Sequence, residues 1–151
     1  MLYREASQAG PGLWIRIQHR FGPRMTEWML ATVTALWGAV LVMNPNIFDQ
    51  PAWSGFRAIF RDEAVVGWIM VGLGFLRIGG LIVNGARKNV TPWIRSVSAS
   101  LGCCLFVGIT YCYWQSGIVS TWLAIYPVFA VVELLNVYRA AHDAGESHAP
   151  H

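Results

Sequence analysis

The sequence predicts an all-α fold: a polytopic membrane protein with four transmembrane helices in a bundle, short interfacial helices, and both termini cytoplasmic. Two observations lead there. Four apolar stretches, Met25–Met43, Ala64–Val83, Trp93–Trp114 and Ile118–Val137, take up most of the 151 residues. Each is long enough to cross a hydrocarbon core of about 30 Å at about 1.5 Å per helical residue. Charged residues make up only 13% of the chain and lie mostly between those stretches. A soluble domain of this length has no way to bury four such helices, so the bilayer is read as their solvent.

The placement of the basic residues orients the bundle. Arg4, Arg16, Arg20 and Arg24 precede the first stretch, Arg87, Lys88 and Arg95 surround the second connection, and Arg139 follows the last, which accounts for eight of the eleven Lys and Arg. The first connection holds Arg57 and Arg61 against Asp49, Asp62 and Glu63, and the connection Gln115–Ser116–Gly117 holds no charge. Retention of Lys and Arg on the cytoplasmic side then puts both termini there, as expected for a bacterial inner-membrane protein. The same asymmetry accounts for the basic balance without a nucleic-acid partner.

Residues 1–24 form a basic arm in which Trp14, Ile17 and Phe21 recur at helical spacing, opposite Arg16, His19 and Arg20. That pattern predicts a short helix in the headgroup layer, anchoring the first span. The first apolar run begins near residue 25 and is too long for a signal-peptide core, so it is read as a span. Span 25–43 carries Ala31, Ala35 and Ala39 at four-residue spacing, with Glu27 heading the stripe, and Asn44-Pro45-Asn46 ends it. In the first connection, Asp49 is placed to cap an interfacial helix at about 51–61 whose apolar face is Trp53, Phe56, Ile59 and Phe60. Arg57 and Arg61 would then reach headgroups.

Span 64–83 is rich in glycine (Gly67, Gly72, Gly74, Gly79 and Gly80), which lets helix backbones approach closely in lipid. Span 93–114 carries a small-residue seam, Ser96, Ser100, Cys104, Gly108 and Cys112, in steps of four; a seam of that kind calls for a partner helix in this chain or in a second copy. Its three cysteines, Cys103, Cys104 and Cys112, read as packing residues, away from either aqueous compartment. Span 118–137 contains Pro127, which predicts a kink. Residues 25–138 are thus one membrane domain, and 139–151 a polar tail. Trp28 and Trp93 mark one interface, Trp68, Trp114 and Trp122 the other, and Trp37 lies deeper, as a packing residue.

One polar constellation lies inside the spans. Arg77 lies seven residues before Asn84 and Glu133 six before Arg139, so each is roughly 10 Å, about two helical turns, from the cytoplasmic boundary, at matched depth on parallel helices. A lone charge there costs a few kcal/mol, roughly, and opposite charges relieve each other. Tyr126, Ala130, Glu133 and Asn136 share a stripe, and Glu27 is placed to join the cluster. Two readings fit: a proton or ion relay, or an ion pair that fixes helix register. Little that is polar continues outward beyond Thr110, Thr121 and tyrosine hydroxyls, which favours the register reading.

The remaining function classes find little support. The histidines, His19, His142, His148 and His151, all fall in the tails, so no haem, copper or di-iron site is expected and no cofactor is predicted. No phosphate-binding loop and no Ser/His/Asp set is placed for a membrane hydrolase, so no enzyme is predicted. Internal repetition is faint, which argues against an inverted-repeat transporter.

Several strings recur together: Trp37-Gly38 with Pro45, Arg77 after a glycine-rich run, Asn84-Gly85, Thr91-Pro92 with Arg95, and the closing Glu133-Leu134-Leu135-Asn136-Val137-Tyr138-Arg139-Ala140-Ala141. In this order they resemble small four-span membrane proteins predicted from phage and prophage genomes of alphaproteobacteria. The resemblance implies a phage-borne membrane protein acting in lysis, superinfection exclusion or a host-membrane function. The expectation from the residues themselves is a non-enzymatic inner-membrane bundle that self-associates or docks on a larger complex. A holin-like permeabilising protein, a small carrier using Arg77 and Glu133, and an accessory subunit of a respiratory or photosynthetic complex are the alternatives.

Overall fold

The first apolar run becomes a helix over all of its predicted length. Helix α1 is Met25–Met43 and stops where Pro45 removes a backbone donor. The Asn44 side chain donates back to the Val40 carbonyl (2.7 Å), and Asn46 takes a left-handed conformation with φ 68°. The computed structural model describes residues 24–84 and 91–146. Beyond α1, these form two 3-10 turns (Ile47–Asp49 and Pro51–Trp53), then α2 (Ser54–Ile59), α3 (Glu63–Asn84), α4 (Thr91–Gln115) and α5 (Trp122–Glu146). The predicted arm helix, the basic residues Arg87 and Lys88, and His19, His148 and His151 lie outside the described residues.

Among the described residues the fold is all-helical, and α1, α3, α4 and α5 are each long and apolar enough to cross a membrane. The chain is a multi-pass helical bundle. We call the end carrying residues 24, 84, 91 and 146 proximal, and the end carrying the 43–63 and 115–122 connections distal. Helix α1 packs chiefly on α3, and α4 on α5, with fewer contacts joining the two pairs.

The α1–α3 pair is held by backbone proximity. A Cβ on Gly38 would lie 2.6 Å from both the Gly67 carbonyl oxygen and the Val71 amide nitrogen, and one on Gly74 would lie 2.5 Å from the Ala35 nitrogen. Lipid offers helices no hydrophobic incentive to associate, so close van der Waals contact between small residues is a main source of adhesion. The alanine stripe meets the glycines here: Ala31 is fully buried, and Ala35 and Ala39 are half-buried. Gly72 faces open space and takes no part.

Several boundaries differ from expectation. The fourth membrane helix starts at Trp122, four residues late, because Gly117 (φ 69°) ends α4 in a left-handed turn and Ser120 and Thr121 supply the first carbonyls of α5. Val119, apolar but 95% exposed, sits in that connection. The same helix runs on to Glu146, into the expected polar tail, because Ala140 is buried and Asp143 has a partner in the bundle. It is continuous through Pro127.

The expected interfacial helix is instead a cap folded onto the distal end. Asp49 caps no helix; its carboxylate lies 3.8 Å from Arg57 on the surface. Phe48 and Phe56 are buried, and Gly55 lies so close to the Cys112 carbonyl that any side chain there would collide with it. Only Ile59 and Phe60 of the predicted apolar face remain exposed. The Asn46 amide donates to the Glu63 carboxylate (2.5 Å), tying the start of this cap to the start of α3.

If backbone contact holds α1 to α3, Gly74→Val lowers the stability of the detergent-solubilised protein by about 1–3 kcal/mol, the usual cost of overpacking. Gly72→Val, on the open face of the same helix, stays within about 0.5 kcal/mol of the parent. Thermal unfolding of both variants checks this; equal losses would mean that the penalty comes from helix chemistry rather than contact.

Candidate functional site

The interior of the bundle is divided by depth. Its distal half is aromatic: Trp37 packs at a tilt against Trp53 and Phe56, and Tyr113 stacks on Tyr126, with ring centroids 5.6 to 5.8 Å apart. The Trp37 indole N–H donates to the Tyr126 hydroxyl (2.9 Å), which satisfies a polar group that would otherwise be stranded in this core. The proximal half holds buried charge.

Arg77 and Glu133 form an ion pair there, with side-chain exposures of 4% and 0%. The Arg77 guanidinium also donates from Nε to the Ser98 hydroxyl (3.2 Å) and from Nη1, at a longer 3.5 Å, to Thr34. The Thr34 hydroxyl donates in turn to the Leu30 carbonyl, 2.8 Å away, and so presents a lone pair to the arginine. Asn136 donates to the second Glu133 oxygen (3.3 Å) and accepts from the Thr26 hydroxyl (2.9 Å). Gly102 makes room for the pair: a Cβ there would overlap the Glu133 carboxylate and lie 2.7 Å from Arg77 Nη1.

A second network lies nearer the proximal surface. Arg95 grips Glu27 through Nη2 (2.5 Å) and Nε (3.1 and 3.2 Å), and reaches Asp143 through Nη1 (2.5 Å). Arg95 and Glu27 are buried, whereas Asp143 is half-exposed. Among the described residues, every buried side-chain nitrogen and oxygen has a hydrogen-bond partner. A buried network in that condition stabilises the arrangement that satisfies it and penalises others.

The predicted cluster is therefore partly assembled. Arg77, Glu133 and Asn136 meet as expected. Glu27 is brought to Arg95 instead, one step closer to the surface. Tyr126 does not join: it lies seven residues, or about 10 Å along the helix, distal to Glu133 and belongs to the aromatic layer. Sequence reasoning missed Thr26, Thr34, Ser98, Gly102 and Asp143, and counted Arg95 among the cytoplasmic charges around the second connection. A signal was present in α4, where Arg95, Ser98, Gly102, Phe106, Ile109 and Tyr113 follow at three- and four-residue steps and form the inward face.

The small-residue seam turns out not to be that inward face. Steps of four advance about 40° beyond a full turn, so five such residues wind almost halfway round a straight helix. Ser96 is half-buried and Cys112 fully buried at the ends of the series, while Ser100, Cys104 and Gly108 point outward. Gly108 has nothing within 4 Å of where a Cβ would stand. Cys103, Cys104 and Cys112 are free thiols, and no three His, Cys, Asp or Glu side chains among the described residues converge to hold a metal ion.

The chemistry this arrangement offers is fastening. Its hydrogen-bonded chain, from Thr26 through Asn136, Glu133 and Arg77 to Thr34 and Ser98, stays in the proximal half, with packed rings on the distal side. Comparison with family models, curated proteins and solved structures gave no significant match.

The two carboxylates on Arg95 differ in burial, and their variants should differ accordingly. Arg95→Gln strands the Glu27 charge and costs about 3–5 kcal/mol. Asp143→Asn, at a half-exposed partner, costs about 1 kcal/mol or less. Unfolding in graded dodecyl sulfate measures both; a mild Arg95→Gln would show that the inner contact carries little of the stability.

Proposed function

We propose that the chain is a non-enzymatic integral protein of the bacterial cytoplasmic membrane, with both termini cytoplasmic, that works as a rigid helical module docking laterally on a second copy of itself. The observation that carries this reading is the outward face of α4. Ser100, Cys104 and Gly108 are exposed at four-residue spacing, whereas Gly38 of α1 and Gly67 and Gly74 of α3 are consumed in packing the chain on itself. Rows of small residues at that spacing suit the right-handed crossings, near −40°, by which membrane helices approach most closely.

The orientation follows from the basic residues. With Arg95 assigned to the interior, seven Lys and Arg still belong to the proximal tails and connection, against Arg57 and Arg61 at the distal end. The buried charges support a mechanical role over a conducting one, since each buried carboxylate is engaged by a guanidinium. The resemblance to phage-encoded four-span proteins sets such an assembly in a host membrane, where lysis or superinfection exclusion would be its setting.

Oxidative cross-linking tests the reading. In a Cys103→Ser, Cys112→Ser background, copper-phenanthroline treatment of intact membranes should join two chains through Cys104. A Gly108→Ile substitution in that background should reduce the dimer at least fivefold while the monomer remains folded. Absence of a Cys104 cross-link, or a dimer indifferent to Gly108→Ile, overturns the proposal.

A further inference from the structure

The two helix pairs do not close evenly. Between α3 and α4, in the proximal half, a cleft of about 740 Å³ opens sideways from the bundle. Leu73, Leu76 and Val83 of α3 and Ile94, Val97 and Leu101 of α4 form its walls, and Arg77, Arg95, Ser98 and Glu27 lie along its base. Its size falls within the roughly 300–1,000 Å³ of small-molecule sites.

Two glycines open this cleft. A Cβ on Gly79 would meet nothing within 4 Å, and one on Gly80 would meet only Ile94, at 3.8 Å. Neither glycine brings α3 against another helix as Gly67 and Gly74 do, although each costs helix stability, about 1 kcal/mol relative to alanine in water. Their effect is to leave a slot wider than the protein itself fills.

Depth and chemistry identify what fits it. The cleft runs from Trp93 near the proximal end of α4 to Leu101, about 12 Å along the axis, and so covers one leaflet's upper acyl region. Leu76, Val83, Trp93 and Val97 at its edges are exposed and apolar, so with the bundle in a bilayer an entering molecule comes from lipid and not from water. Of the polar side chains that line the cleft, Arg77, Arg95 and Ser98 carry N–H or O–H donors. Arg77 and Arg95 have five N–H groups each, more than their partners in the two networks use, and the Ser98 hydroxyl accepts from Arg77. Glu27 is already held by Arg95. The two networks together count three carboxylates (Glu27, Glu133 and Asp143) against two guanidinia, so a deeply placed anion would find no net positive charge. Neutral acceptors such as ester carbonyls suit the donors without adding charge.

We infer that the α3–α4 cleft binds one glycerophospholipid of the proximal leaflet, with an acyl chain along Leu73, Leu76, Val97 and Leu101 and its ester carbonyls toward Arg95 and Ser98. The inference rests on the membrane-embedded fold and is independent of self-association. A lipid held this way is wedged between the two helix pairs and exchanges more slowly than the lipid surrounding the bundle.

Native mass spectrometry of the full-length protein tests it, after extraction from membranes and extensive detergent exchange, with phosphatidylethanolamine and phosphatidylglycerol as added probes. The parent should retain one phospholipid per chain. Gly80→Leu and Val97→Trp, each filling the cleft, should lower the retained fraction at least tenfold while thermal unfolding stays cooperative. Val128→Trp, at an exposed position on α5, should leave retention unchanged. No retained lipid in the parent, equal retention in the filled variants, or an equal loss in Val128→Trp each overturns the inference. The Cys104 cross-link reads the other proposal separately, because its face on α4 lies outside the cleft lining.

Discussion

One guanidinium ties the bundle together. Arg77, on α3, touches Glu133 on α5, Thr34 on α1 and Ser98 on α4, so a single side chain has a partner on each of the other membrane helices. Placing a charge that deep is unfavourable by a few kcal/mol on insertion scales. The arrangement that relieves it requires all four helices to be present in one register. In a solvent that gives apolar helices no reason to choose particular neighbours, this requirement supplies the choice.

The other features extend the same constraint. Arg95 repeats the device nearer the surface, joining α4 to α1 and α5 through Glu27 and Asp143. Gly102 keeps α4 free of a side chain where the ion pair passes. At the distal end the tie is apolar, with the 47–59 segment pressing Trp53 and Phe56 onto Trp37 and Tyr113, and Phe48 against Trp53 and Phe56. Charge at one end and rings at the other leave α3 and α4 sparsely joined along the proximal cleft.

Much of this is legible in the sequence, for identifiable reasons. Span positions follow from hydropathy because a bilayer imposes length directly, and α1 matches its predicted bounds. The Arg77–Glu133 pair follows from depth alone, since two buried opposite charges at one level have few other solutions. What escapes depends on rotation about the helix axis. Arg95 lies four residues inside the α4 end, where snorkelling to the interface and pairing inward look alike in sequence. Tyr126 shares a stripe with Glu133 but not its depth. The Ser96–Cys112 series keeps its spacing yet winds round the helix, so its two ends and its middle face different surroundings. The end of α5 is hidden because Asp143 reads as a tail charge until Arg95 is known to face it.

A double-mutant cycle at Arg77 and Glu133 tests the central claim most directly. The folded fraction of the parent, Arg77→Ala, Glu133→Ala and the double variant would be followed in graded dodecyl sulfate. The account predicts that each single variant loses about 3–5 kcal/mol and that the double variant loses less than their sum, with a coupling of at least about 1 kcal/mol. Single variants that assemble like the parent, or losses that simply add, would show that the bundle stands without this contact.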